Sequence, residues 1–202
     1  MKTSHRTLAR LAGAVAAVVL TAGIASAQAI INNGTIQMGV RSLGSLNTPG
    51  GSLSAGAPGP STTNVGLRYM PTNREATADG CLCEGWGVGI SGGVFNGNAG
   101  GANANTGDFG LTSVSFTNTA STAVSTVSMG PLEITHDYRP SSVANLYEVK
   151  VTIRNTSLSA AGTGAQGIRY RRVMDWDIEP TAFSEFVTLR GLGRHRAHRL
   201  ER

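Results

Sequence analysis

Residues 132–155 read LEITHDYRPSSVANLYEVKVTIRN. In the first half Leu132, Ile134, His136 and Tyr138 alternate with Glu133, Thr135 and Asp137. In the second, Tyr147, Val149, Val151 and Ile153 alternate with Glu148, Lys150, Thr152 and Arg154. Successive side chains of a strand point to opposite faces, so a period of two separates a buried face from a wet one. The stretch therefore predicts two half-buried strands.

The flanking sequence carries the same signal more weakly. Phe109–Thr117 and Ala123–Met129 are rich in Val, Ser and Thr, and the turn Asn118–Thr122 can join them. Shorter strands are predicted at Thr35–Val40, Val65–Met70 and Trp86–Ile90. Ile168, Tyr170, Met174 and Trp176 share one parity, with Arg172 interrupting that face. Phe183–Leu189 predicts a last short strand or a single helical turn. Residues 42–63 (SLGSLNTPGGSLSAGAPGPSTT) and 91–107 (SGGVFNGNAGGANANTG) can bury no face and predict loops. Short strands, frequent turns and few helix formers make this an all-β chain, read as an antiparallel two-sheet β-sandwich over residues 28–189, with a C-terminal end expected to be cut short.

Charge divides the chain in three. The whole carries +5, with a pI near 9.8, but residues 1–27 hold +3 and residues 190–202 hold +4, leaving 28–189 at −2. The basic balance is therefore no argument for nucleic acid. Lys2, Arg6 and Arg10 precede the uncharged, mostly apolar run Leu11–Ile24 and then Ala25-Ser26-Ala27. That order is a secretory signal peptide, with cleavage expected after Ala27. The run is short of the roughly 20 residues that span a bilayer, and no other stretch in the mature chain is a transmembrane candidate. The tail GLGRHRAHRLER (191–202) reads either as a basic arm or as out-of-frame translation closing a truncated frame; its composition, foreign to the nearly Lys-free domain, favours the latter.

Few residues offer chemistry. Cys81 and Cys83, in an exported chain, allow a strained local disulfide, free or intermolecularly paired thiols, or partial metal ligation. Asp175 and Asp177 flank Trp176; on a strand the two carboxylates share a face and could hold Ca²⁺, the only cofactor the sequence suggests, or serve glycan hydrolysis, while Trp176 could stack on a sugar. Ion pairing with Arg169, Arg171 and Arg172 is the simpler reading. His136 and Asp137 adjoin, but a strand sends them to opposite faces, so His136 reads as a partly buried structural residue. Gly85, Gly87 and Gly89 alternate within a strand and mark either a bulge or a close approach of another backbone. No Gly-x-Ser-x-Gly elbow, P-loop, dinucleotide fingerprint or His-Glu-x-x-His occurs, and no residue is assigned a catalytic or cofactor-binding role.

The segments CLCEGWGVG (81–89), ITHDYRPSSVANLYEVKVTIRN (134–155) and YRRVMDWDIEPTAFSEFVT (170–188) together resemble a group of bacterial exported proteins of the PEP-CTERM-associated type. The resemblance spans about 28–189 and implies an envelope-associated, β-rich protein of surface or matrix biology, with no enzyme activity attached. The Pro-Glu-Pro sorting tail of that group is absent here. The expectation is a secreted or cell-surface, non-enzymatic protein of the bacterial envelope or extracellular matrix, structural or adhesive. Its partner would be an envelope or matrix polysaccharide or protein. The alternative is a carbohydrate-binding module or glycan hydrolase using Asp175, Trp176 and Asp177.

Overall fold

The computed structural model describes residues 28–50, 62–77, 84–92, 95–101, 107–159, 161, 167–182 and 184. The signal segment, Cys81 and Cys83, most of Phe183–Leu189 and the basic tail lie outside the described residues. Eleven strands and no helix occur among those described: β1 (Gln28–Asn32), β2 (Ile36–Arg41), β3 (Leu67–Tyr69), β4 (Arg74–Glu75), β5 (Gly85–Ile90), β6 (Asn96–Gly100), β7 (Thr112–Asn118), β8 (Ala123–Met129), β9 (Leu132–Pro140), β10 (Tyr147–Asn155) and β11 (Ile168–Val173).

The alternating stretches form one antiparallel sheet, in the order β10-β9-β8-β7. Its central strands show the cleanest segregation: Ala123, Ser125, Val127 and Met129 of β8 and Leu132, Ile134, His136 and Tyr138 of β9 are buried, while the residues between them are half-buried. β9 and β10 pair over nine uninterrupted positions, from Tyr147 opposite Pro140 to Asn155 opposite Leu132. The predicted turn does join β7 to β8; Thr119 N–H donates to Thr122 O at 2.9 Å.

The facing layer is not one sheet but two, β1-β2-β3-β4 and β11-β5-β6. Each covers part of the four-stranded sheet. Trp86, Val88, Ile90 and Ala99 pack on Val127, Met129, Leu132 and Ile134. Ala29, Ile31, Met38, Val40 and Leu46 pack with Ala123 and Tyr138. The molecule is thus an all-β, antiparallel, two-layered sandwich with its core in two adjoining clusters.

Three expectations are corrected. Residues 29–40 hold two strands, because Asn33 Oδ1 accepts from Thr35 and Ile36 N–H (3.0 and 2.7 Å) and turns the chain back. The predicted loop at 42–63 includes buried Ser45, Leu46 and Thr48, tied by bridges from Leu46 to Val40 and from Thr48 to Val65. The predicted loop at 91–107 contains β6 (NGNAG). Gly and Asn have poor strand propensity; pairing with β5, a bridge from Asn98 to Phe109, and a 2.6 Å bond from Asn98 Nδ2 to Gly107 O hold the strand instead. A Cβ on Gly97 would lie 2.5 Å from Leu111 Cδ2, so a side chain there would have to displace Leu111.

Candidate functional site

The inward face of β11 carries Tyr170 and Arg172, and Arg172 is the charge that interrupts the apolar parity of that segment. A guanidinium can enter a core only with partners. Its Nε donates to Glu84 Oε1 at 2.7 Å, and Nη2 lies 2.6 Å from the same oxygen. Its Nη1 donates to Tyr138 Oη at 2.8 Å, and the guanidinium carbon stands 5.6 Å from the Tyr138 ring centre. Tyr138 Oη donates to Gly44 O (2.7 Å), Trp86 Nε1 to Leu43 O (2.7 Å) and Ser125 Oγ to Ser42 O (2.7 Å). The other Glu84 oxygen accepts from Leu46 N–H. These bonds pin the 42–46 segment, which follows β2, across the junction of the two smaller sheets and onto β8 and β9.

His136 completes the network. It is fully buried, its ring centre 4.4 Å from that of Trp86, and Nε2 shares a 2.9 Å hydrogen bond with Tyr170 Oη. Nδ1 has no hydrogen-bond partner. Gly44 lies over it at φ +76°, where a Cβ would come within 2.8 Å of Nδ1. Burial, aided by the charge of Arg172, lowers the His136 pKa to about 3, so the ring is neutral. Burial raises Tyr138 and Tyr170. Burial also raises Glu84, outweighing Arg172 and the Leu46 N–H. Arg172 loses from burial but is raised overall by Tyr138, Glu84 and Tyr170.

A second ion pair, Arg68 with Glu75 (3.6 Å), is completely buried under the other small sheet. Glu75 Oε1 accepts from four backbone N–H groups: Gly66, Leu67, Ala76 and Thr77, at 2.8–3.2 Å. Arg68 Nη2 donates to Asn64 O (2.7 Å) and Thr62 O (3.2 Å). Burial lifts the Glu75 carboxyl above its ordinary range against the pull of those N–H groups and of Arg68.

Among the described residues, concavities open to solvent lie on two sides of the facing layer. An apolar cleft of about 230 Å³ lies between β2, β3 and β10, lined by Met38, Leu67, Tyr147, Val149 and Met174, with Arg172 and Tyr138 at its wall. A polar trough of about 490 Å³ runs over the outer face of β5. Trp86, Val88 and Ile90 point inward from β5, so Gly87 and Gly89 face the trough, Gly87 buried beneath the Arg171 side chain and Gly89 partly open. Arg171 and Arg169 stand opposite these glycines on one side, Asn98 and Asn96 on the other. There is no bulge in β5, so one of the two readings of its glycines falls away. A Cβ on Gly89 would meet nothing closer than 3.6 Å, and no positive φ is required there. The fold does not need that glycine, although glycine weakens a strand interior by about 0.5–1 kcal/mol relative to Ala.

The sequence-predicted acids are dispersed. β11 ends at Val173, so Asp175, Trp176 and Asp177 are not on a strand. Met174 turns into the second core cluster and Asp177 N–H bonds Ala76 O at 3.2 Å, which draws the segment onto the small sheet. Asp177 is buried, whereas Asp175 and Trp176 are half-buried. Arg172 pairs with Glu84, and Glu179 with Arg74 (3.3 Å). Among the described residues, no three His, Cys, Asp or Glu side chains are grouped to hold a metal ion, and no helix is long and apolar enough to cross a membrane. Nothing in the sequence pattern marks Glu84, Glu75 or Arg68 as buried; the off-pattern charge of Arg172 and the inward parity of His136 are the signals of a polar interior.

Fold and site define an all-β two-layered domain with buried ion pairs inside its facing layer, one of them bonded across to Tyr138 of β9, and an arginine-walled trough outward. No known protein family, no curated protein and no solved structure matches the chain.

Proposed function

We propose that the chain is an exported, non-enzymatic adhesive or structural module of the bacterial envelope or matrix, and that it engages acidic polysaccharide along the β5 trough. The trough carries this reading. Gly89 leaves its floor open where a side chain would fit, Arg169 and Arg171 wall it on one side with the Arg171 side chain reaching over Gly87, and exposed Asn96 stands on the other. A planar guanidinium suits bidentate contact with carboxylate or sulfate, and amide side chains suit hydroxyls. Residues two apart on a strand are about 6.6–6.8 Å apart, so the two arginines form a linear cationic wall.

The interior acid–base groups support the same reading. Glu75, Glu84, Tyr138 and His136 are each bonded to backbone or to a neighbour in the core, where they hold segments in place.

The test is retention of the purified chain on immobilised polyuronate against neutral dextran, over a salt series. Salt-sensitive retention on polyuronate alone, lost in Arg169→Gln/Arg171→Gln, is expected. Equal retention on both polymers, or retention untouched by the double substitution, refutes it.

A further inference from the structure

The two edges of the four-stranded sheet are not alike. β7 is interrupted by a register shift between Ser113 and Ser115, a device that blunts an edge against pairing. β10 has none: it is nine residues long, contains no proline, runs in unbroken register with β9, and has no strand on its outer side among the described residues. Its inward residues Tyr147, Val149, Val151 and Ile153 are only half-buried, whereas their neighbours on β9 are fully buried.

We propose that β10 is the seam of a two-fold homodimer, pairing antiparallel with β10 of a second copy about an axis through Val151. Val151 is the midpoint of the strand, so this register alone pairs all nine residues. It sets Val149 against the partner's Ile153 on the core side. On the solvent side it sets Glu148 against the partner's Arg154, and Lys150 against the partner's Thr152. Glu148 is already bonded to Arg139, and Arg154 to Glu133 (2.8 Å), across β9. The seam therefore completes a row of alternating sign through four strands: Arg139, Glu148, the partner's Arg154, the partner's Glu133. Neighbouring registers are worse. An axis through Lys150 puts that lysine against its own copy, and an axis through Thr152 puts Lys150 against Arg154; each also pairs only seven residues. The isologous contact is closed by its symmetry and yields a continuous eight-stranded layer.

Thr152 gives the cleanest test, because it is exposed and neither of these two ion pairs uses it. In the dimer it faces Lys150 twice. Sedimentation velocity of the full purified chain across a concentration series should show a monomer–dimer equilibrium. Thr152→Lys should weaken it and Thr152→Glu tighten it, each by about tenfold for two like or unlike pairs. Thr117→Lys, exposed on β7 and three strands from the seam, should leave it unchanged. A wild type monomeric at every concentration, or Thr152 variants that shift together or not at all, overturns the proposal.

Discussion

Replacing His136 by Phe should make the protein more tolerant of acid. The ring is fully buried and its pKa is lowered to about 3 by burial and by Arg172, against an ordinary 6.5. A histidine whose folded pKa is depressed gives its full stability above the unfolded pKa and loses it as the pH falls through the window from about 6.5 down to 3. Between about pH 7.5 and 4.5 the unfolded wild type takes up a proton that the folded form does not, which costs about 2.7 kcal/mol at 1.36 kcal/mol per pH unit. For a domain of this size that is a loss of about 5–10 °C in Tm. Phe retains the ring contact with Trp86 and cannot titrate. Glu75 and Glu84 have raised pKa values, so their contributions run the other way, present at low pH and lost as the pH rises. They are common to both proteins and cancel in the difference. Urea unfolding of wild type and His136→Phe at the two pH values gives that difference directly, and His136→Gln checks it with a polar replacement. A wild-type-minus-variant stability that does not change with pH would refute the neutral buried histidine.

The Arg68–Glu75 pair yields a second outcome. Glu75→Leu removes the carboxylate that a fully buried guanidinium and four backbone N–H groups share, and should cost about 3–5 kcal/mol in chemical denaturation. Arg68→Met/Glu75→Leu should recover part of that loss. Trp86→Ala, at the centre of the larger core cluster and 0% exposed, should cost about 3–5 kcal/mol by thermal unfolding. Gly89→Thr should keep or raise the Tm, since the site has room and Thr favours strands, while reducing retention on polyuronate; a fall in Tm would mean that the fold itself needs the glycine.

How much of this could be read from the chain depends on how local the cause is. β8 spans Ala123–Met129, the predicted bounds, because its alternation is set by one buried face over seven consecutive residues. β9 and β10 follow for the same reason. β6 was illegible, because Asn and Gly carry no strand signal and its neighbours supply the pairing. The split of the second layer into two sheets was equally hidden: Asn33 turns the chain, and the junction rests on Glu84 accepting from Leu46 N–H across 38 positions. The candidate trough was half visible. The glycines of β5 stood out, but Arg169 and Arg171 flank them only through the β5–β11 register. Asp175, Trp176 and Asp177 looked like a site only while they were taken to lie on a strand.

That the buried Arg172–Glu84 pair, bonded on to Tyr138 of β9 and to Leu46, holds the facing layer together and against β9 is tested most directly by a double-mutant cycle with Arg172→Met, Glu84→Gln and the pair, followed by urea unfolding. Arg172→Met should cost about 3–5 kcal/mol and the double variant less than the sum of the singles by about 1–3 kcal/mol. Additive losses, or an Arg172→Met protein within about 0.5 kcal/mol of wild type, the range of an ordinary surface change, would contradict it.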